Sequence, residues 1–260
     1  MCPGRSHASI ISIVIRSEVS ISEDNLKVSL TVTNKGDEPA ENVKPSLEVG
    51  GKTINGETHK ILSPNDKFTE DFTSAVQFGK PGSYPVIITV DYTDANHYPF
   101  TALEVNYVDY KEAPNARVAG TIGALDLYDN DSDKLKVTVK NTEEIAKKVS
   151  VRLVTSKEFA VQNRVQEIAL SPGGERKLAF NIKNAGGLPG STYPVFAVIS
   201  YEDATYHYLN VASGNILVKK QGLWHGLKTP LLILFAVLLV IICLFYIVRL
   251  KKSFRQDKQV

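Results

Sequence analysis

Asp24-Asn-Leu-Lys-Val-Ser-Leu-Thr-Val-Thr-Asn34 alternates apolar and polar side chains along most of its length. Leucine or valine occupies every second position from Leu26 to Val32, and lysine, serine and threonine lie between them. This period of two, in β-branched-rich sequence, is typical of a strand buried on one face. The pattern returns, two residues shorter, as Asp133-Lys-Leu-Lys-Val-Thr-Val-Lys-Asn141. Since two residues are one full strand period, the shortening keeps the same face buried.

Three further landmarks occur twice, in the same order and at nearly the same spacing. They are Leu62-Ser-Pro64 with Leu170-Ser-Pro172, Gly82-Ser-Tyr-Pro-Val86 with Ser191-Thr-Tyr-Pro-Val195, and Asp91-Tyr-Thr-Asp-Ala95 with Ser200-Tyr-Glu-Asp-Ala204. Chance matches would not preserve this order, so the sequence predicts two copies of one unit. We expect the first unit at residues 8–108, a short polar linker at 109–114 and the second unit at 115–219.

Turn-forming residues separate the strands of each unit, as at Gly79-Lys-Pro-Gly82 and Gly186-Gly-Leu-Pro-Gly190. About seven short strands in about 100 residues are typical of an immunoglobulin-like β-sandwich. The sequence therefore predicts an all-β chain of two tandem immunoglobulin-like β-sandwiches, followed by one C-terminal transmembrane α-helix. Stacked end to end, the two sandwiches would project about 80 Å.

The expected transmembrane helix rests on the uncharged apolar run Leu231 to Val248, which lysine and arginine follow directly. At about 1.5 Å per residue it is long enough for the hydrocarbon core of a bilayer. Cytoplasmic flanks favour lysine and arginine, so we expect a helix over 227–249 and a basic cytoplasmic tail over 250–260. The lipid bilayer is thus one expected partner. The residues expected at its interfaces are Trp224, Lys228, Tyr246, Arg249, Lys251 and Lys252.

Such a topology would place both units outside the cytoplasm and would need an export signal. The one candidate, Ile10 to Ile15, is short and is followed by Arg16-Ser-Glu18 instead of a small-residue cleavage site. Two interpretations stay open: a signal upstream of Met1, or a tail-anchored protein with its units in the cytosol. The positive charge after the helix favours the first, a single-pass cell-membrane protein with extracytoplasmic units.

Composition and motifs exclude several functions. The 30 Lys and Arg are interspersed with 28 Asp and Glu, so no basic stripe for nucleic acid is present. The two cysteines, Cys2 and Cys243, cannot form a disulfide within a unit. No G-x-S-x-G motif and no glycine-rich phosphate loop occur. We therefore expect neither an enzyme nor a cofactor.

One aromatic segment joins what should be the last two strands of each unit. Tyrosine and histidine beside carboxylates can stack on, and hydrogen-bond to, a sugar or a protein surface. The alternative is that the tyrosines form half-buried cross-strand pairs. The candidate ligand or partner surface comprises Tyr92, Asp94, His97 and Tyr98 in the first unit, and Tyr201, Asp203, Tyr206 and His207 in the second.

A weak candidate calcium site is formed by Asp129, Asp131 and Asp133, whose carboxylates alternate as hard cations favour. The loop departs from an EF-hand, because Lys134 and Lys140 stand where glycine and glutamate are required. The favoured alternative is a solvated acidic turn.

The run Val32-Thr-Asn-Lys-Gly36, then Ala40-Glu-Asn-Val43, Leu62-Ser-Pro64 and Gly82-Ser-Tyr-Pro-Val86, resembles the CARDB and NEW3-like family of immunoglobulin-like domains. The resemblance covers both units, although Thr142-Glu-Glu144 replaces the Lys-Gly turn in the second. It implies an extracytoplasmic module of prokaryotic surface proteins, used as a spacer, adhesion or carbohydrate-associated domain. It implies no catalytic residues.

These observations together predict a non-catalytic, membrane-anchored cell-envelope protein. Its two immunoglobulin-like units would bind, adhere to or scaffold a protein or polysaccharide of the envelope. One alternative is an accessory subunit of a larger membrane complex, such as a transporter or envelope-assembly machine. Another is a tail-anchored adaptor facing the cytosol.

Overall fold

The computed structural model describes residues 10–22, 24–129 and 131–220, together with 233, 235, 237–240 and 242. The chain divides into two compact units, Met1–Val218 and Lys219–Val260. The described residues between 233 and 242 are helical. Within the described part of the chain, no helix has the length and apolar character needed to cross a membrane. Most of the expected helix over 227–249, all of the tail over 250–260, and all the expected interface residues lie outside the described residues.

The unit Met1–Val218 is built from β-strands, as the alternating sequence predicts. The first half contains β1 (Ile13–Ser22), β2 (Asn25–Asn34), β3 (Ala40–Val49), β4 (Lys52–Asn55), β5 (His59–Leu62), β6 (Lys67–Ala75), β7 (Gly82–Thr93) and β8 (Pro99–Tyr110). The second half contains β9 (Val118–Ile122), β10 (Leu125–Leu127), β11 (Ser132–Asn141), β12 (Lys147–Thr155), β13 (Phe159–Val161), β14 (Val165–Leu170), β15 (Glu175–Asn184), β16 (Thr192–Glu202) and β17 (His207–Val218).

The first half is a sandwich of two sheets. One sheet has the order β1-β2-β6, and in the other β3 pairs with β7, which pairs with β8, while β4 and β5 flank β3. The alternation in β2 is confirmed, because Leu26, Val28, Leu30 and Val32 are all buried. They pack against β7 side chains such as Val86 and Ile88 in one hydrophobic core.

The second half repeats this arrangement with a core of its own. Its two sheets have the orders β9-β11-β15-β13 and β14-β12-β16-β17, with β10 added beside β17. Leu135, Val137 and Val139 of β11 are fully buried, opposite Val195 and Ile199 of β16. Strands of corresponding sequence therefore occupy corresponding places in the two halves.

One buried asparagine has the same role in both halves. Asn34 Nδ2 donates to the carbonyl oxygens of Glu38 (2.7 Å) and Leu62 (3.0 Å). Asn141 Nδ2 donates in the same way to Ile145 (2.8 Å) and Ser171 (3.1 Å). Each asparagine ends its strand and connects it to the Leu-Ser-Pro turn. The repeat seen in the sequence is therefore a repeat of tertiary contacts.

The two halves lie side by side, so the projection of about 80 Å that an end-to-end stack would give does not apply. Their larger sheets join into one sheet of ten strands at a parallel pairing of His207 with Gly82. Ile87 of the first half and Val198 of the second are buried together in a third hydrophobic cluster. Tyr110, in the expected linker, belongs to β8 and pairs with Gly82. We call this contact region the junction.

A paired charge crosses the junction beside that cluster. The Arg152 guanidinium forms two hydrogen bonds to the carboxylate of Glu48, one of them from Nη2 to Oε2 at 2.7 Å. The same contact holds the pKa of Glu48 below its usual value. A bidentate ion pair of this kind fixes the relative orientation of the two side chains as well as the distance between them.

Candidate functional site at the aromatic hairpins

The first aromatic segment, residues 92–100, forms the end of the β7–β8 hairpin and is called the first tip. Asp94 Oδ1 accepts hydrogen bonds from the backbone nitrogens of Asn96 and Tyr98, both at 2.9 Å. His97 adopts φ 63°, which the turn requires. A side-chain carboxylate that bonds to the backbone just after it is a standard means of closing a tight turn. Asp94 therefore acts as a support for the neighbouring side chains.

Those neighbours are His97 and Tyr98, which project from the turn. The side chain of His97 is 78% exposed, and its Nδ1 lies 3.9 Å from Glu41 Oε2. Tyr98 is 65% exposed. An aromatic ring on a turn fixed by hydrogen bonds would lose little further conformational freedom on contact with a partner.

Tyr92, at the base of the first tip, has a different environment. Its ring stacks on Phe100, with 5.6 Å between centroids and 28° between planes. Burial, with the nearby charge of Glu158, raises the pKa of the Tyr92 phenol well above its ordinary value. Tyr92 therefore offers a neutral hydroxyl and an apolar face next to the second half of the unit.

The second aromatic segment, residues 201–208, ends the β16–β17 hairpin and is called the second tip. Asp203 Oδ1 accepts from the backbone nitrogens of Thr205 (2.8 Å) and Tyr206 (2.7 Å), and Oδ2 accepts from the Tyr208 hydroxyl (2.7 Å). These donors, the Tyr206 amide first, lower the pKa of Asp203 to about 2. Asp203 is therefore the counterpart of Asp94 in turn closure.

Tyr201 is an interior residue of the second half, only 3% exposed. Its hydroxyl accepts a hydrogen bond from the backbone nitrogen of Arg117 at 2.8 Å. Its ring stacks on Tyr208 at 4.7 Å and 5°, and Lys147 Nζ lies 5.3 Å from its centroid. Tyr201 and Tyr208 thus form a cross-strand pair, and their geometry serves packing.

The rest of the second tip lies in the junction. The His207 ring stacks on Tyr84 at 4.2 Å and 8°, and its Nδ1 lies 2.7 Å from the carbonyl oxygen of Ser83. Burial lowers the pKa of His207, so the ring is neutral near pH 7. The Tyr206 hydroxyl donates to Glu112 Oε2 at 2.8 Å.

The structure does not bring the two tips together. His207 pairs with Gly82 at the start of β7, whereas Tyr92 lies near its end. Ten residues of strand separate these positions, which is about 33 Å. The first tip presents the exposed rings of His97 and Tyr98, whereas in the second tip His207 packs against the first half, and Glu202, Ala204 and Thr205 stay exposed. The eight predicted residues therefore form two separate sites, and His97 and Tyr98 of the first tip are the exposed members.

Sequence reasoning missed Glu158 and Lys80, which lie at opposite ends of the junction. Lys80 Nζ donates to Glu202 Oε2 (2.9 Å) and to the Asp203 carbonyl oxygen (2.7 Å) at the second tip. Glu158, which is 5% exposed, accepts at Oε1 from the backbone nitrogen of Thr101 (2.9 Å) at the base of the first tip. Glu158 belongs to no recognisable motif, and Lys80 lies in the turn Gly79-Lys-Pro-Gly82, whose pattern does not show what the lysine contacts.

In the acidic segment at the start of β11, aspartate carboxylates accept hydrogen bonds from the neighbouring backbone. Asp131 Oδ1 accepts from the nitrogen of Ser132 at 2.8 Å, and Asp133 Oδ1 accepts from that of Lys134 at 2.7 Å. Asp129 is exposed. Across the described ranges, no three His, Cys, Asp or Glu side chains are grouped as metal ligands. The calcium site remains a prediction from sequence.

Comparison with known proteins supports the fold. Residues 10–95 match the CARDB family model, in agreement with the resemblance of the first unit to that immunoglobulin-like family. The match covers the first half only. A search of curated proteins found no match.

This chain resembles several solved structures distantly, and some of those proteins are larger and some smaller than this chain. Native α2-macroglobulin of Escherichia coli matches at 11% identity and a TM-score of 0.32, over 80% of this chain and 17% of its own. Red sea bream transglutaminase matches at 10% identity and 0.29, over 83% and 32%. A non-cellulosomal cohesin of Archaeoglobus fulgidus matches at 10% identity and 0.30, over 44% and 99%. The chain thus spans under a quarter of the α2-macroglobulin. Likenesses at these TM-scores carry no argument about function.

Proposed function

We propose that this chain is a non-catalytic, membrane-anchored protein of the cell envelope. Its two immunoglobulin-like halves act as one body that binds or scaffolds a protein or polysaccharide partner through the first tip. The apolar run Leu231 to Val248 supplies the anchor, with the basic tail on the cytoplasmic side. The halves would then stand outside the cytoplasm.

The exposed first tip is the observation that carries this proposal. Its aromatic ring and imidazole project from a turn that Asp94 holds, while the corresponding histidine of the second tip, His207, stacks on Tyr84 inside the molecule. Among the eight predicted site residues, those with exposed side chains, His97 and Tyr98, therefore lie in the first tip. A second argument is the junction, which gives the exposed tip a fixed base and reduces the entropy lost on binding.

The surroundings of the histidines favour binding over catalysis. His207 faces a backbone carbonyl oxygen, and His59 and His97 each lie 3.9 Å from a glutamate oxygen. A catalytic histidine would need a nucleophile or substrate within hydrogen-bond reach of a ring nitrogen. In this arrangement the described histidines serve packing or surface recognition.

Tyr98→Ala tests the binding role, with Tyr107→Ala as the matched control. Both tyrosines are large and exposed, at 65% and 56%, but Tyr107 lies within β8, away from the tip. The full chain in detergent is titrated with the envelope fraction of the cells that produce it. We expect Tyr98→Ala to weaken binding about tenfold, as for an aromatic contact residue, and Tyr107→Ala to leave it unchanged. Equal effects of the two substitutions would refute a role for the first tip.

The anchor and its orientation need a separate test. Intact cells carrying a C-terminal epitope on the cytoplasmic tail are treated with protease. We expect the halves to be degraded and a small tagged membrane fragment to survive. Full protection would support the cytosolic tail-anchored adaptor and refute the envelope location. A stoichiometric membrane partner that co-purifies in mild detergent would support the accessory-subunit alternative.

A further inference from the structure

A cavity of about 310 Å³ lies between the two halves, at the base of the first tip. The first half contributes Tyr92, Pro99 and Phe100 to its lining, and the second half contributes Glu158 and Gly186. The Glu158 carbonyl oxygen accepts hydrogen bonds from the nitrogens of Ala185 (2.8 Å) and Gly186 (3.2 Å), which fixes this wall. The cavity is therefore a property of the junction, since neither half forms it alone.

The Glu158 carboxylate lines this cavity and is only half satisfied by the described residues. Glu158 Oε1 accepts from Thr101, whereas Glu158 Oε2 is buried without a hydrogen bond among the described residues. Buried unpaired polar atoms are rare and costly, so Glu158 Oε2 is the lining atom that calls for a donor from outside the protein.

The charge and shape of the lining favour a cation with an apolar stem. Asp91 and Lys157 form an ion pair with each other at the cavity, which leaves Glu158 as its one uncompensated charge. The stacked rings of Tyr92 and Phe100 supply an apolar wall beside it. Aromatic faces attract cations as well as methylene groups.

At the other end of the junction, beside the second tip, a lysine ammonium already binds to a carboxylate. At the second tip, the Lys80 ammonium of the first half bonds to Glu202 and to the backbone of Asp203. Lys80 belongs to the turn Gly79-Lys-Pro-Gly82, whose copy in the second half is Gly187-Leu-Pro-Gly190. In both turns a strand tyrosine hydroxyl bonds to the backbone of the second residue, Lys80 or Leu188. The turn therefore supplies an ammonium to the second tip, and leucine replaces that lysine in the turn of the second half.

We infer that the cavity binds the ammonium group of a lysine side chain presented by a partner protein. This inference rests on the binding function proposed above. The methylene stem would lie along Tyr92 and Phe100, and the Glu158 side chain would turn so that Oε2, now buried, faces the cavity and accepts from the ammonium.

The lining favours lysine over the other cationic groups. A guanidinium binds best to both oxygens of a carboxylate, and Thr101 already occupies one oxygen of Glu158. An amino sugar needs several hydrogen-bond partners for its hydroxyls, whereas the wall facing Glu158 is largely aromatic. A lysine ammonium can bind to one carboxylate oxygen, and its aliphatic chain can pack against the aromatic wall.

The test measures binding of Nα-acetyl-lysine methylamide to the full chain in detergent by NMR, following the Thr101 and Gly186 amides. A ligand of this size would bind with a dissociation constant on the order of 1 mM. The norleucine analogue has nearly the same stem without the charge and should bind at least about tenfold more weakly. Equal binding of the two would overturn the inference, as would the absence of saturable binding, which would mean that Glu158 is served by water.

Glu158→Gln should weaken lysine-analogue binding about tenfold or more. Its remaining carbonyl oxygen can still accept from Thr101. Glu144→Gln, an exposed change of the same kind in the same half, should have no effect. Tighter binding of glucosamine or of the arginine analogue would overturn the choice of lysine. If envelope binding still depends on Tyr98 while the lysine analogue does not bind, only the cavity assignment fails. If the analogue binds and envelope binding does not depend on Tyr98, the proposed use of the first tip fails instead.

Discussion

Replacement of Gly82 by alanine should open the junction while leaving both cores intact. Gly82 has φ 142°, a conformation that alanine rarely adopts, and it pairs with His207 across the junction. A Cβ atom at this position would lie 1.9 Å from the His207 carbonyl oxygen and 2.7 Å from its carbon. Both are backbone atoms, so rotation of a side chain cannot relieve the contact.

The size of the effect follows from these distances. A tolerable carbon–oxygen contact is about 3.3 Å, so the two strands must separate by more than 1 Å at this point. The hydrogen bond from the His207 nitrogen to the Pro81 carbonyl oxygen, now 2.9 Å, would then break. The unfavourable backbone conformation costs about 1–3 kcal/mol. Loss of the stack between the Tyr84 and His207 rings costs about 0.5–1.5 kcal/mol, and loss of the hydrogen bond costs about 1 kcal/mol. We expect the junction to lose roughly 2.5–5.5 kcal/mol.

Hydrogen exchange on the full chain measures this loss locally. The amides of His207 and Thr101, which bond across the junction, should lose protection in Gly82→Ala. The Val28 amide, in the core of the first half, should be affected much less. Gly79→Ala is the matched control, because a Cβ there meets nothing within 4 Å. Unchanged protection at His207 in Gly82→Ala would refute the account of the junction.

Three further predictions concern the junction and the repeat. A double-mutant cycle of Glu48→Ala and Arg152→Ala should give a coupling of about 1 kcal/mol, because the pair is bidentate but partly exposed; additive effects in denaturant unfolding would contradict it. Because burial places the folded-state pKa of His207 below its unfolded value, junction stability should be complete above about pH 6.5 and decrease as the pH falls below it. An NMR-titrated pKa at or above 6.5 would reverse that sign. Asn34→Ala and Asn141→Ala should each lower the free energy of unfolding by about 2–3 kcal/mol, since each leaves two carbonyl oxygens without their donor; a loss below about 0.5 kcal/mol at either position would show that its role is dispensable.

The sequence predicted the sandwiches because strand periodicity reports burial directly. Leu26 to Val32 and Leu135 to Val139 occupy the expected buried positions, and the paired landmarks place Asn34 and Asn141 at corresponding strand ends. These features depend on local alternation and on turns, which a single sequence displays.

The junction was not predicted, although part of its signal is present. Ile87 and Val198 interrupt the alternation of β7 and β16 with apolar residues on the outer face, and both are buried between the halves. A strand that is apolar on both faces is typical of burial on both sides. The pairing of His207 with Gly82 produces no comparable pattern in the sequence, because it depends on how two separate sandwiches pack together.

The sequence predicted the residues that form the two hairpin ends better than it predicted where those ends lie relative to each other. Both aromatic segments lie at hairpin ends, with Asp94 and Asp203 closing their turns. That His207 of the second tip packs against the first half follows from the junction, which sequence spacing cannot show. Glu158 stands in no motif and becomes notable only through its burial and its unpaired oxygen.

Direct contact between the halves is the central claim, and an NOE between the rings of Tyr84 and His207 measures it most directly. The two ring centroids lie 4.2 Å apart, one in each half. The stack of Tyr201 on Tyr208, at 4.7 Å within the second half, serves as the internal control in the same spectrum. We predict NOEs of similar strength for both pairs in the full chain in detergent at pH 7.5. A clear NOE for Tyr201 and Tyr208 with none for Tyr84 and His207 would contradict a fixed junction.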